Sequence, residues 1–148
     1  MTRQHDVVHH SFLALVAFLF LAATVQPAVA ASFVVTKTAD TDDGTCNADC
    51  SLREAVTAAN DAGGGDIIFA STANGTITLA IPLLLGDGNE NATLTITGNG
   101  GANTIITSSL GNVFNVGGSL ENGGSKAFGA TVTISGVAIT NGHASQGG

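Results

Sequence analysis

The chain has no tryptophan or tyrosine, only two cysteines, and four lysines and arginines against eleven carboxylates. Without Trp and Tyr there is no aromatic girdle for an outer-membrane barrel and no usual stacking platform for sugars, although polar contacts to sugars remain open. The shortage of bases excludes a surface that attracts phosphate backbones, so nucleic acid is not an expected partner. The longest apolar run, residues 12–23, falls short of the roughly 18–20 residues a spanning helix needs. It is preceded by Arg3 and followed by Pro27 and Ala28-Val29-Ala30. That order is a secretory signal cut after Ala30, rather than a retained anchor. The expected product is secreted or held at the cell surface, with no membrane span after cleavage. Residues 31–148 then carry Lys37, Arg53 and Lys126 against ten carboxylates, a net charge of −7.

Both cysteines, Cys46 and Cys50, lie in the exported part. In an oxidising compartment so close a pair reads as a disulfide. A metal site would lack companions, because His143 is the only histidine after residue 30, and a redox dithiol usually has two intervening residues rather than three. Ser51-Leu52-Arg53-Glu54 fits a capping box, with Ser51 at the N-cap and Glu54 three positions on. Leu52, Ala55, Val56 and Ala59 follow at the spacing of one helical face, and the Gly-rich stretch at 63–65 closes the segment. The expected helix covers 52–61. Its narrow face of small residues suits a lid over something flat.

Beyond residue 65 the texture changes to short β-branched runs separated by Gly and Asn: 66–70, 76–86, 92–98, 103–108, 112–116 and 130–140. Period-2 alternation makes each a strand. ATLTITG at 92–98 and ATVTISG at 130–136 are near copies, with Phe114 about midway between Leu94 and Val132. The implied repeat of roughly 17–20 residues is that of a β-solenoid coil. Leu94, Ile96, Val132 and Ile134 would point inward and the alternate threonines outward. An antiparallel sandwich also uses short strands, but the self-similarity and the lack of two-residue hairpin turns argue against it. Asn99, Asn112 and Asn141 are expected as turn residues rather than side-chain ladders. The organisation expected is thus a signal peptide at 1–30, a cap at 31–65 holding a strand, the Cys46–Cys50 loop and the helix, and β coils at 66–148. The helix would close the near end, which otherwise exposes apolar side chains and strand edges.

Residues 33–70, and above all Cys50-Ser51-Leu52-Arg53-Glu54-Ala55, resemble the CSLREA-type N-terminal domain of secreted bacterial proteins. That resemblance covers the Asp-rich stretch before the motif and the GGGDIIF segment after it. It implies a right-handed parallel β-helix on an exported or surface protein of bacterial type, often large, with adhesion among the roles to be expected. It brings no catalytic residues. Members of that family commonly continue for many more coils, so the chain is expected to be a fragment open at its C-terminal end. A docking partner on that end is the alternative.

Catalysis finds little purchase in these residues. A glycosidase wants two carboxylates across a cleft, and a lyase of this architecture wants a base beside carboxylate-bound calcium. From residue 92 onward the only charged residues are Glu121 and Lys126, in an insertion at 119–129 where recognition is as natural as mere tolerance of extra length. His143 reads as a solvated loop residue. Asp40, Asp42, Asp43 and Asp49 are the densest acidic group and the one candidate calcium site. Their spacing is not that of an EF-hand, and the simpler expectation is an acidic turn that favours the helix N-terminus. No cofactor is otherwise expected. The sequons at Asn74 and Asn91 are read as chance. Three functions follow: a non-catalytic scaffold or adhesin-like stalk contacting cell-surface glycans or proteins, which is preferred; the leading part of a polysaccharide lyase or hydrolase whose catalytic coils lie elsewhere; and a short secreted binding module.

Overall fold

The structure is a computed structural model, and it describes residues 30–87, 91–117 and 129–142. The signal at 1–30, except Ala30, the 119–129 insertion, except Gly129, and His143 lie outside the described residues.

The described residues form nine strands, one α-helix and one 3-10 turn at Ser71–Ala73. β1 is Ser32–Val35, α1 is Leu52–Asp61, and β2 is Gly64–Phe69; β3, β4 and β5 are Gly75–Leu79, Leu83–Leu85 and Thr93–Thr97. β6, β7, β8 and β9 are Thr104–Ser108, Phe114–Val116, Thr131–Ser135 and Ala138–Thr140. They form three sheets, ordered β1-β2-β5-β8, β3-β6-β9 and β4-β7. Every pair is parallel, which removes the antiparallel sandwich. From β2 onward the chain visits the first, second and third sheets in rotation, and each circuit lays its strands beside those of the one before.

The register stacks like on like. Phe33, Ile67, Ile96 and Ile134 form one inward column of the first sheet, and Ile77, Ile106 and Ile139 one column of the second. In the third sheet Leu83 lies beside Phe114 and Leu85 beside Val116. Ile67, Ile77, Leu79, Leu85, Leu94, Ile96 and Ile106 are fully buried. Each is worth on the order of 1.5–3 kcal/mol, obtained only when another circuit lies alongside.

The expected period is corrected. Gly64 lies opposite Thr93 and Gly75 opposite Thr104, both 29 residues on; Leu83 faces Phe114 after 31 and Thr93 faces Thr131 after 38. Leu94 and Val132 are neighbours, but Phe114 belongs to another sheet. Strands on different sides of a circuit have similar compositions, so the spacing of like runs gives the distance between sides and not the length of a turn.

Two expected strands also divide. The 76–86 run breaks into β3 and β4 at Ala80, Ile81 and Pro82, where Pro82 has no amide to give a ladder. The 130–140 run breaks at Gly136, whose φ of 64° is left-handed. A Cβ on Gly136 would strike the Gly98 carbonyl one circuit away, and a Cβ on Gly98 would strike the Gly136 carbonyl. The two bare corners let successive circuits turn in contact.

α1 packs against β1, β2 and β4, so it lies over the first circuit. Leu52, Ala55, Val56 and Ala59 are buried in the same core cluster as Ile67, Leu83 and Leu85. At the other end no described strand pairs with the outer edges of β7, β8 and β9. Val132 and Ile134 are half-buried there, while Ile139 is 48% and Val116 54% exposed.

Candidate functional site

The cap begins at the disulfide between Cys46 and Cys50, whose Cα atoms are 4.6 Å apart. Cys50 is tied back to the residue that follows β1: its amide donates to Thr36 Oγ1 at 2.8 Å, and its carbonyl accepts from the Thr36 amide at 2.8 Å. Ser51 then caps α1. Its hydroxyl accepts from the Glu54 amide at 3.1 Å and donates to the Thr41 carbonyl at 2.6 Å. The Glu54 carboxylate accepts from the Ser51 amide at 2.6 Å and from the Asp43 amide at 3.0 Å. One residue, 2% exposed, thus closes the capping box and gathers the acidic loop.

Burial alone would raise the pKa of Glu54. The amides of Ser51 and Asp43, with the Lys37 ammonium 3.9 Å away, outweigh it and hold the carboxyl below its ordinary value. Lys37 is shifted up, chiefly by its hydrogen bond to Asp49 at 3.0 Å.

The four aspartates of the candidate calcium site do not converge. Asp40 takes a two-pronged bond from Arg53 Nε and Nη2, each 2.9 Å, and accepts from the Ala80 amide at 2.8 Å. Asp42 and Asp43 each close a turn, accepting from the amides of Gly44 and Thr45, and Asp49 faces Lys37. Among the described residues no group of three or more His, Cys, Asp or Glu side chains is placed to hold a metal ion.

Two residues to which the sequence assigns no individual role, Asn60 and Arg53, carry much of the cap. Asn60 of α1 donates from Nδ2 to the Leu84 carbonyl at 2.8 Å and accepts from the Gly86 amide at 2.9 Å through Oδ1. The opposite edge of β4 pairs with the β7 segment through the Leu83 amide and the Leu85 carbonyl. Asn60 therefore supplies the near edge with the donor and acceptor of a missing strand. Arg53 Nη2 adds a bond to the Ile81 carbonyl at 2.8 Å. Only the Asn type of residue 60, a poor helix former late in a helix, hinted at this; its partners are 24 and 26 residues away.

The second candidate surface is the outer face of the first sheet. Thr93, Thr95 and Thr97 of β5 lie beside Thr131, Thr133 and Ser135 of β8. Five of the six are exposed and Thr95 is half-exposed. Strand spacing of about 4.8 Å across and about 6.7 Å between alternate residues makes an uncharged grid of hydroxyls and methyls. Towards the cap the grid gives way to Asp66 and the exposed pair Val34 and Ile68.

The asparagines divide between the two roles considered for them. Asn141 has a left-handed φ of 54°, whereas Asn99 donates to Asn74 Oδ1 at 2.7 Å in the preceding circuit. Asn112 donates from Nδ2 to Oδ1 of Asn115, in β7 three residues on, at 3.3 Å. The described residues hold no helix long and apolar enough to cross a membrane. Comparison of the chain with protein-family models, with curated proteins and with solved structures returns no match.

Proposed function

We propose that the chain is a capped segment of a right-handed parallel β-helix of the CSLREA type, exported and used as a surface scaffold or adhesin-like stalk without catalysis of its own. The observation that carries the reading is the rotation of the chain among three parallel sheets, with similar residue types in register from β5 to β8 and an uncharged hydroxyl face outside. Parallel crossover connections take the right hand in nearly all proteins, which favours that sense of winding. Rigid rows of Thr offer many weak, evenly spaced hydrogen bonds, the kind of contact that gains strength from repetition.

The test has two arms. Protein recovered from the medium of an expressing bacterium should begin at Ala31 by mass spectrometry. Beads coated with it should be retained on glycan-bearing cell surfaces more than blank beads. A Thr95→Lys/Thr133→Lys variant, changed at two exposed or half-exposed sites, should lose at least half of that retention. Beads held no better than blanks would sink the adhesive role. Release of reducing ends by a longer product of the same gene, but not by these residues alone, would favour the leading portion of a degradative enzyme instead.

A further inference from the structure

Between the solvent side of α1 and the β3–β4 corner runs a groove of about 610 Å³. That is within the range of sites that hold a drug-sized ligand or a few side chains. Its apolar wall is Val56 from the helix and Ile81, Pro82 and Leu84 from the corner and β4. Ile81 is 56% exposed, although every other residue of this wall is half-buried or buried.

Three carboxylates, Asp42, Asp61 and Asp87, share the lining with a single cation, Arg53. Arg53 is already committed to Asp40, which receives both prongs of its guanidinium. The only other base among the described residues, Lys37, is committed to Asp49. The groove is therefore apolar along one side and net negative, and the cation in its lining, Arg53, is held by Asp40.

We infer that this groove docks a basic segment of a partner protein, with Lys or Arg side chains alternating with aliphatic ones. The aliphatic side chains lie against Ile81 and Pro82, and the cations reach Asp61 and Asp42. The binding mode is set by what is already occupied. The near edge of β4 is closed by Asn60, so an incoming chain does not add as a strand and is recognised by its side chains. Acidic glycans are repelled by the same carboxylates, and neutral sugars find no aromatic plate in the lining. This role belongs to the cap and does not depend on the hydroxyl face of the first sheet.

The experiment uses the whole exported protein and three labelled hexapeptides read by fluorescence anisotropy: Gly-Lys-Leu-Lys-Leu-Gly, the same with Ser for Leu, and the same with Glu for Lys. The Lys/Leu peptide is expected to bind, the Lys/Ser peptide roughly tenfold more weakly, and the Glu/Leu peptide not at all. Raising salt from about 0.1 to 0.5 M should weaken the first by severalfold. Asp61→Asn and Ile81→Ser each change an exposed side chain, so they are expected to fold as the parent does, checked by circular dichroism. Each should weaken the Lys/Leu peptide about five- to tenfold. Equal binding of the Lys/Leu and Lys/Ser peptides, untouched by Ile81→Ser, would overturn the proposal in favour of diffuse acidic attraction. No binding of any peptide would also overturn it. So would tighter binding in a Lys126→Gln variant, because the chain's own lysine would then be the occupant.

Discussion

Glu54 is the residue on which the cap turns, because it serves the helix and the loop before it at once. Its sequence role, the fourth member of a capping box, was plain from Ser51 three positions earlier. Its bond to the Asp43 amide was not, since nothing local says which way the 40–50 loop folds back. The pH consequence follows from its depressed pKa. A carboxyl whose folded pKa lies below its unfolded one stabilises the fold above the unfolded value, near 4.5, and loses that contribution as pH falls through the folded value. Glu54→Gln should therefore cost about 1–2 kcal/mol in urea unfolding at pH 7, through weakened bonds to two amides. The gap to the parent should narrow steadily below about pH 4.5. A gap that stays constant from pH 7 to pH 3 would show that the charge is not what matters.

At the scale of elements, the helix was legible because its signals are local: the cap, the apolar spacing and the glycines after it all lie within about fifteen residues. The strands were legible in kind but not in extent. β3 and β4 look like one strand in the sequence because Ile81 and Leu83 continue an apolar run across Pro82; the ladder stops where Asp40 takes the Ala80 amide and Pro82 has none to offer. The first sheet likewise takes Gly64 and Gly65 into β2, residues read as the end of the helix. Gly65 passes so close to β1 that a Cβ there would lie 2.6 Å from the Ala31 carbonyl. The edge closed by α1 makes a sharper prediction than the helix itself. Asn60→Ala leaves the Leu84 carbonyl and the Gly86 amide without that partner, at a cost of roughly 2 kcal/mol. Asn60→Leu should be no better, although Leu is the better helix former. Hydrogen exchange at the Gly86 amide should quicken in both; an unchanged rate would mean that water or another group closes that edge.

For the whole molecule, stability should be shared along the stack rather than concentrated in one core, because each circuit touches only its neighbours. Ile96 lies between Ile67 and Ile134, with a circuit on either side. Ile96→Ala should cost about 3–4 kcal/mol. Ile139→Ala, at a position 48% exposed in the last described circuit, should cost under about 1 kcal/mol. Thermal melts of the two variants measure the contrast, and equal losses would mean that the outer circuit is covered as well as the inner one. The net charge of −7 acts at this scale too: it keeps the molecule away from anionic surfaces and makes association with basic partners dependent on salt.

What the residues alone determined is whatever depends on neighbours in sequence: the alternation that makes strands, the Ser51–Glu54 box that starts the helix, the cysteine pair and the acidic balance. The repeat length was not among these, since strands from different sides of one circuit share a composition and only hydrogen-bonded register distinguishes them. Nor were the uses of Asp40, Arg53 and Asn60, whose partners lie 13 to 40 residues away. Tertiary structure decided those, because an unpaired strand edge has to be satisfied by whichever polar side chain the fold brings to it.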